Sequence, residues 1–121
     1  MTDTVAQLSL FGRPAGRHLV RSFLGFHAAN PHVYGLFCRF ADQLATTRRA
    51  NYSARTVIHR IRWHIDVETE APDGFKINNN FSPFYARLWM VENPEREGFF
   101  RLRDSAADTD GWLEQAQRGD T

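Results

Sequence analysis

With 121 residues, 42% of them hydrophobic and 24% charged, the chain is long enough to bury one core and too short for two independent ones; that composition excludes disorder throughout. The net charge of +1 excludes a polycation that coats nucleic acid indiscriminately. A single cysteine, Cys38, excludes an internal disulfide framework.

No apolar run approaches the ~20 residues of a bilayer-spanning helix, and the first residues carry an acid ahead of a short apolar stretch, unlike a signal peptide. The expected location is therefore the cytoplasm. Charge is unevenly distributed. Arg48, Arg49, Arg55, Arg60 and Arg62 follow one another with no acid between them, and Asp66, Glu68, Glu70 and Asp73 then follow with no base. Such a split gives the fold a positive end and a negative end. The fourteen arginines and one lysine, Lys76, fit phosphate and base-edge recognition and equally fit an arginine-rich codon usage.

Residues 1–16 hold no helical period and contain Gly12, Pro14 and Gly16, so they read as a flexible tail. Helical spacing begins at Arg17 and runs to about Ala28 through Leu19, Val20, Phe23, Leu24 and Phe26. Asn30 is then a cap, with Pro31 at the first position of a helix over 31–45. Its stripe of Val33, Leu36, Phe37, Phe40, Ala41 and Leu44 is the clearest amphipathic pattern in the chain. Ser53 caps a third helix over 54–69, buried through Val57, Ile58, Ile61 and Ile65, with Arg55, His59, Arg60 and Arg62 on its other face. Pro72, Asp73, Gly74 and the run Asn78, Asn79, Asn80 predict two turns flanking a short extended piece, Phe75 to Ile77. Ser82 and Pro83 open a fourth helix that stops at Asn93 and Pro94. The alternating GFFRLR, residues 98–103, is a candidate strand to pair with 75–77. From Asp104 onward only Trp112 and Leu113 could anchor the chain, so 104–121 is expected to be an acidic, weakly ordered tail behind a globular domain of 17–103.

Near the start, Gln7, Leu8, Ser9, Leu10 and Phe11 spell QLSLF. This pentapeptide resembles the linear motif by which bacterial replication and repair proteins dock on the β sliding clamp of DNA polymerase, and every position matches. The resemblance implies that Gln7 and Leu8 engage one sub-site while Leu10 and Phe11 fill an adjoining apolar pocket. It covers five residues and names a partner, without describing the domain behind it. The alternation of Leu8 and Leu10 also suits an edge strand or a flap folded on the domain, and both readings stand at this stage.

The predicted class is mainly α with a small β component, a compact helical domain. The helices at 31–45, 54–69 and 83–93 followed by GFFRLR have the order of a helix-turn-helix with a trailing strand, which resembles winged-helix domains. The stretch 30–103 also resembles small proteins of phages and prophages. In the helix-turn-helix reading, the fourth helix enters the major groove of duplex DNA, with Ser82, Tyr85, Arg87, Asn78, Asn79 and Asn80 near the bases. Arg48, Arg49, Arg55, Arg60, Arg62 and Lys76 then hold phosphates. The dozen residues between the third and fourth helices are long for that motif. The asparagines equally suit a loop and cap, and the arginine face equally suits plain solvation.

No catalytic or metal-binding set is expected, and no cofactor. His64, Asp66 and Glu68 are the nearest approach to a ligand cluster, but they lack the second histidine of a zinc-protease pattern. The function expected is that of a clamp-recruited accessory or regulatory protein touching DNA; the alternative is an interaction protein that occupies the clamp, or another host target, without touching DNA.

Overall fold

The computed structural model describes residues 14–47, 49–70 and 76–119. Among them are five α-helices, α1 (Pro14–Ala29), α2 (Pro31–Ala45), α3 (Ala54–Val67), α4 (Ser82–Glu92) and α5 (Trp112–Gly119), and no strand. None is long and apolar enough to cross a membrane. The contacts divide the described residues into two units, His32–Leu102 and the pairing of residues 14–31 with 103–119.

In the larger unit the expected caps are met only at α3: Asn30 donates its side-chain amide back to the Phe26 carbonyl at 3.1 Å, closing α1, and α4 has Phe81 at its N-cap with no side-chain cap bond. Ser53 Oγ accepts from the amide of Arg55 at 3.2 Å and starts α3, satisfying one of the donors a helix start leaves open. Thr46 and Thr47 close α2 by donating their hydroxyls to the carbonyls of Gln43 and Leu44, both at 2.7 Å. Val33, Tyr34, Phe37, Phe40, Ala41 and Ala45 are buried on α2, and Val57, Ile58, Ile61 and Ile65 on α3. Helix α4 is different in kind, because Ser82, Phe84, Tyr85, Ala86, Leu88, Trp89 and Met90 are all buried. A helix apolar nearly all round belongs in an interior. Aromatic rings dominate that interior. Phe37 lies 5.4 Å from Tyr85 and 5.6 Å from Phe100, and Trp89 lies 5.4 Å from both Phe99 and Phe100, within the spacing at which ring quadrupoles attract.

The expected strand at 98–103 is not formed. Its one β-type contact is an isolated parallel bridge between Phe100 and Tyr52, made by Tyr52 N donating to the Phe99 carbonyl at 3.1 Å and Arg101 N to the Tyr52 carbonyl at 2.8 Å. Ile77 lies outside any strand, and Phe75 falls outside the described residues. Phe99 and Phe100 are both buried, at 5% and 2% exposure. A strand sends neighbouring side chains to opposite faces, so two consecutive buried rings leave no solvent face for a wing. Gly98 at φ 81° makes the turn into this pair, a backbone region where a Cβ is disfavoured.

The smaller unit overturns the expected weak order after Asp104. Ser105 and Asp108 form a reciprocal capping box on a 3-10 turn, Ala106–Asp108, and α5 follows. Trp112 is 2% exposed; its Nε1 donates to the Ala107 carbonyl at 2.8 Å and its ring meets Phe23 of α1 edge-on at 5.5 Å. His27 of α1 is also 2% exposed; it stacks on Phe23 and donates from Nε2 to the Ala116 carbonyl at 3.2 Å. An apolar indole with one satisfied polar atom, together with a cross-helix hydrogen bond, fixes a segment whose composition alone reads as loose. The first helix also starts at Pro14 rather than Arg17, with proline at the first position, where its missing N–H costs nothing.

Candidate functional site

The clamp-like motif, Gln7, Leu8, Ser9, Leu10 and Phe11, lies outside the described residues, as does Arg48. Two residues, Gly12 and Arg13, separate the end of the motif from the start of α1.

The residues expected to read DNA are not gathered on one free surface. Ser82 is 5% exposed and donates its hydroxyl to the Asn79 carbonyl; Tyr85 is fully buried among Phe37 and Tyr34. Neither side chain reaches a groove without opening α4, a correction to their assignment as base-contacting residues. Asn78 accepts from Asn80 N at 2.9 Å and caps the 3-10 turn Asn79–Phe81 that leads into α4. That is the loop-and-cap role open to the asparagine run from sequence; Asn79 and Asn80 are exposed beside it. Arg87 folds back along α4 and donates to the Pro83 carbonyl at 3.1 Å.

The arginines of α3 divide into two kinds. Arg60 donates through both terminal nitrogens to Glu68, at 2.9 and 3.3 Å, while its guanidinium carbon sits 4.3 Å from the centre of the Phe40 ring. This pairing joins a bidentate ion pair to a cation–π contact. His64 Nδ1 donates to the same carboxylate at 2.9 Å. Hydrogen bonds from Arg60 and then His64 hold the Glu68 carboxyl below its ordinary range. Arg62 donates to the Ile77 carbonyl at 2.5 Å and to His59 Nδ1 at 3.4 Å, tying the return loop to α3. Arg55 is exposed on the first turn of α3, and Arg49 and Lys76 are exposed in the flanking loops. Arg49 lines a surface hollow of about 250 Å³ together with Glu95, Arg96 and Glu97. A second hollow, of about 280 Å³, lies between α2 and α3 and is lined by Phe40, Gln43, Leu44, Thr56, Val57 and Arg60.

His64 and Glu68 share a helix face, one turn apart, and are spent on each other and on Arg60. No group of three histidine, cysteine or acidic side chains poised for a metal occurs among the described residues. Tyr34 donates to Glu92 at 2.5 Å. Burial first, then the bonds to Glu92 and Cys38, push its hydroxyl far above the ordinary phenolic range.

One surface feature escaped the sequence reading: Trp63 is 57% exposed and Val67 58% exposed. The signal was present, since both fall off the Val57, Ile58, Ile61, Ile65 stripe when α3 is projected down its axis. No family model, no curated protein and no solved structure matches the chain.

Proposed function

We propose that this protein is an interaction partner of the bacterial β sliding clamp, docking through Gln7–Phe11 and presenting its helical domain beside the occupied clamp pocket. The observation that carries the reading is the complete QLSLF match directly ahead of α1. Burying a leucine and a phenylalanine from an extended segment contributes roughly 1.5–3 kcal/mol for each side chain. Ordering the segment offsets part of that, so the affinity falls on the order of micromolar. Two findings favour a protein partner over base readout: the burial of Ser82 and Tyr85, and the internal engagement of Arg60, Arg62 and Arg87.

The test is affinity of the full chain for purified clamp against Leu10→Ala, Phe11→Ala and the double variant. The double variant is expected to weaken binding by about a hundredfold, corresponding to about 2.7 kcal/mol. Unchanged affinity would remove the proposal.

Contact with duplex DNA, as a clamp-recruited accessory protein of helix-turn-helix type, is the second reading, supported by the exposure of Arg49, Arg55 and Lys76. Three phosphate contacts would give a slope of roughly −3 in log affinity against log salt, and a flat dependence would eliminate it.

A further inference from the structure

The solvent side of α3 carries a strip with its own logic. Thr56, His59, Trp63 and Val67 follow one another at spacings of three and four, so they share one side of the helix. All four are exposed, opposite the buried Val57, Ile58, Ile61 and Ile65. The other two tryptophans are 1% and 2% exposed. An indole left in water one turn from an exposed valine marks a contact surface.

The charges around that strip are ordered. Setting aside Arg62 and Glu68, which are engaged within the chain, the exposed Arg55 precedes Trp63, and the exposed Asp66 and Glu70 follow it. Cations at the start of a helix and anions at its end oppose the macrodipole, so the gradient disfavours α3 by itself. It becomes complementary against a second helix that carries the same gradient and runs the opposite way, because each basic half then meets an acidic half. A two-fold axis produces that arrangement twice over, since the same patch meets itself.

We infer that the Thr56, His59, Trp63, Val67 face of α3 docks antiparallel on the same face of a second copy of this chain. Trp63 lies near the axis; Arg55 of each copy faces the Asp66 end of the other. An unpaired base stacking on Trp63 would bring its phosphates against the acidic half of the same helix, so charge favours the second copy. A 14-residue helix spans about 21 Å, and one such crossing falls short of the ~1,600 Å² of a standard interface. The dimer is therefore a reversible one, with a dissociation constant on the order of 10–100 μM. This inference stands independently of clamp docking.

The experiment is sedimentation equilibrium of the full chain over roughly 1–500 μM, bracketing that constant, with acrylamide quenching of tryptophan fluorescence on the same samples. Trp89 and Trp112 are buried, so quenching reads Trp63. Wild type should pass from monomer to dimer as the quenchable fraction disappears, and Trp63→Ala should stay monomeric with unchanged helicity. Arg55→Glu and Asp66→Arg should each weaken association about tenfold, and mixing the two variants should restore it, because the opposed pairs become Glu with Arg and Asp with Arg. A wild type monomeric throughout, a dimer indifferent to Trp63→Ala, or a mixture no tighter than its components would overturn the inference. So would a single-stranded oligonucleotide protecting Trp63 in a protein that remains monomeric.

Discussion

Replacing Trp112 with alanine tests the docking of the C-terminal segment on α1. The indole is 2% exposed, meets Phe23 edge-on and donates to the Ala107 carbonyl. Truncating a buried tryptophan typically costs 3–5 kcal/mol, through lost transfer energy and the void left behind. The Ala107 carbonyl also loses its donor; partial refilling by water limits that addition, so the expected loss is about 4 kcal/mol. Against the roughly 6–18 kcal/mol that a chain of 121 residues commands, this is a large fraction. Trp112→Phe retains most of the apolar area and removes the hydrogen bond, so it should cost about 1–2 kcal/mol. Urea unfolding followed by far-ultraviolet circular dichroism gives both values. A Trp112→Ala protein within about 1 kcal/mol of wild type would refute the reasoning, because a segment that frays freely has nothing to lose.

Other perturbations have equally definite outcomes. Ser53→Ala removes the acceptor at the start of α3 and should lower stability by about 1 kcal/mol, while Ser53→Asp retains it. Glu68 has its carboxyl held below the ordinary range in the folded chain, so its contribution is present above the unfolded carboxylate value and fades as pH falls through the depressed folded one. The melting temperature of Glu68→Gln should therefore fall less on acidification than that of wild type, by a small margin because the pair is exposed to solvent. Tyr34 is shifted the other way: its contribution holds below the ordinary phenolic range and is lost as pH rises beyond it. In an alkaline ultraviolet titration, the absorbance difference between wild type and Tyr34→Phe should appear only where the circular dichroism shows unfolding.

Local chemistry made much of the helical frame legible. The bounds of α2 and the Ser53 cap each depend on residues within one or two turns, and both lie where the sequence puts them; α4 starts one residue earlier than expected, at Ser82, with Phe81 in place of Ser82 at its N-cap. What local patterns missed was decided at a distance. His27 and Ala116 are far apart in the chain, and no composition argument over 104–121 reveals their hydrogen bond. The GFFRLR alternation resembled a strand because Phe100 and Leu102 alternate with Arg101 and Arg103, and the buried Phe99, on the arginines' side of that alternation, breaks the two-faced pattern. Tyr85 was read as polar enough for a groove, yet its ring stacks between those of Phe37 and Tyr34. The basic face of α3 showed its charges in sequence but not their engagements, since Arg60 reaches Glu68 at the C-cap of the same helix and Arg62 reaches the Ile77 carbonyl fifteen residues on.

The pair of backbone hydrogen bonds between Tyr52 and residues 99–101 acts as a clasp on everything from α3 to the end of α4. Because the two sides of that clasp are brought together only by the intervening helices, it cannot separate while they keep their places. Slow deuterium uptake at the amides of Tyr52 and Arg101 would therefore time the opening of the whole α3–α4 segment, giving a two-residue clock for a motion that no single helix reports.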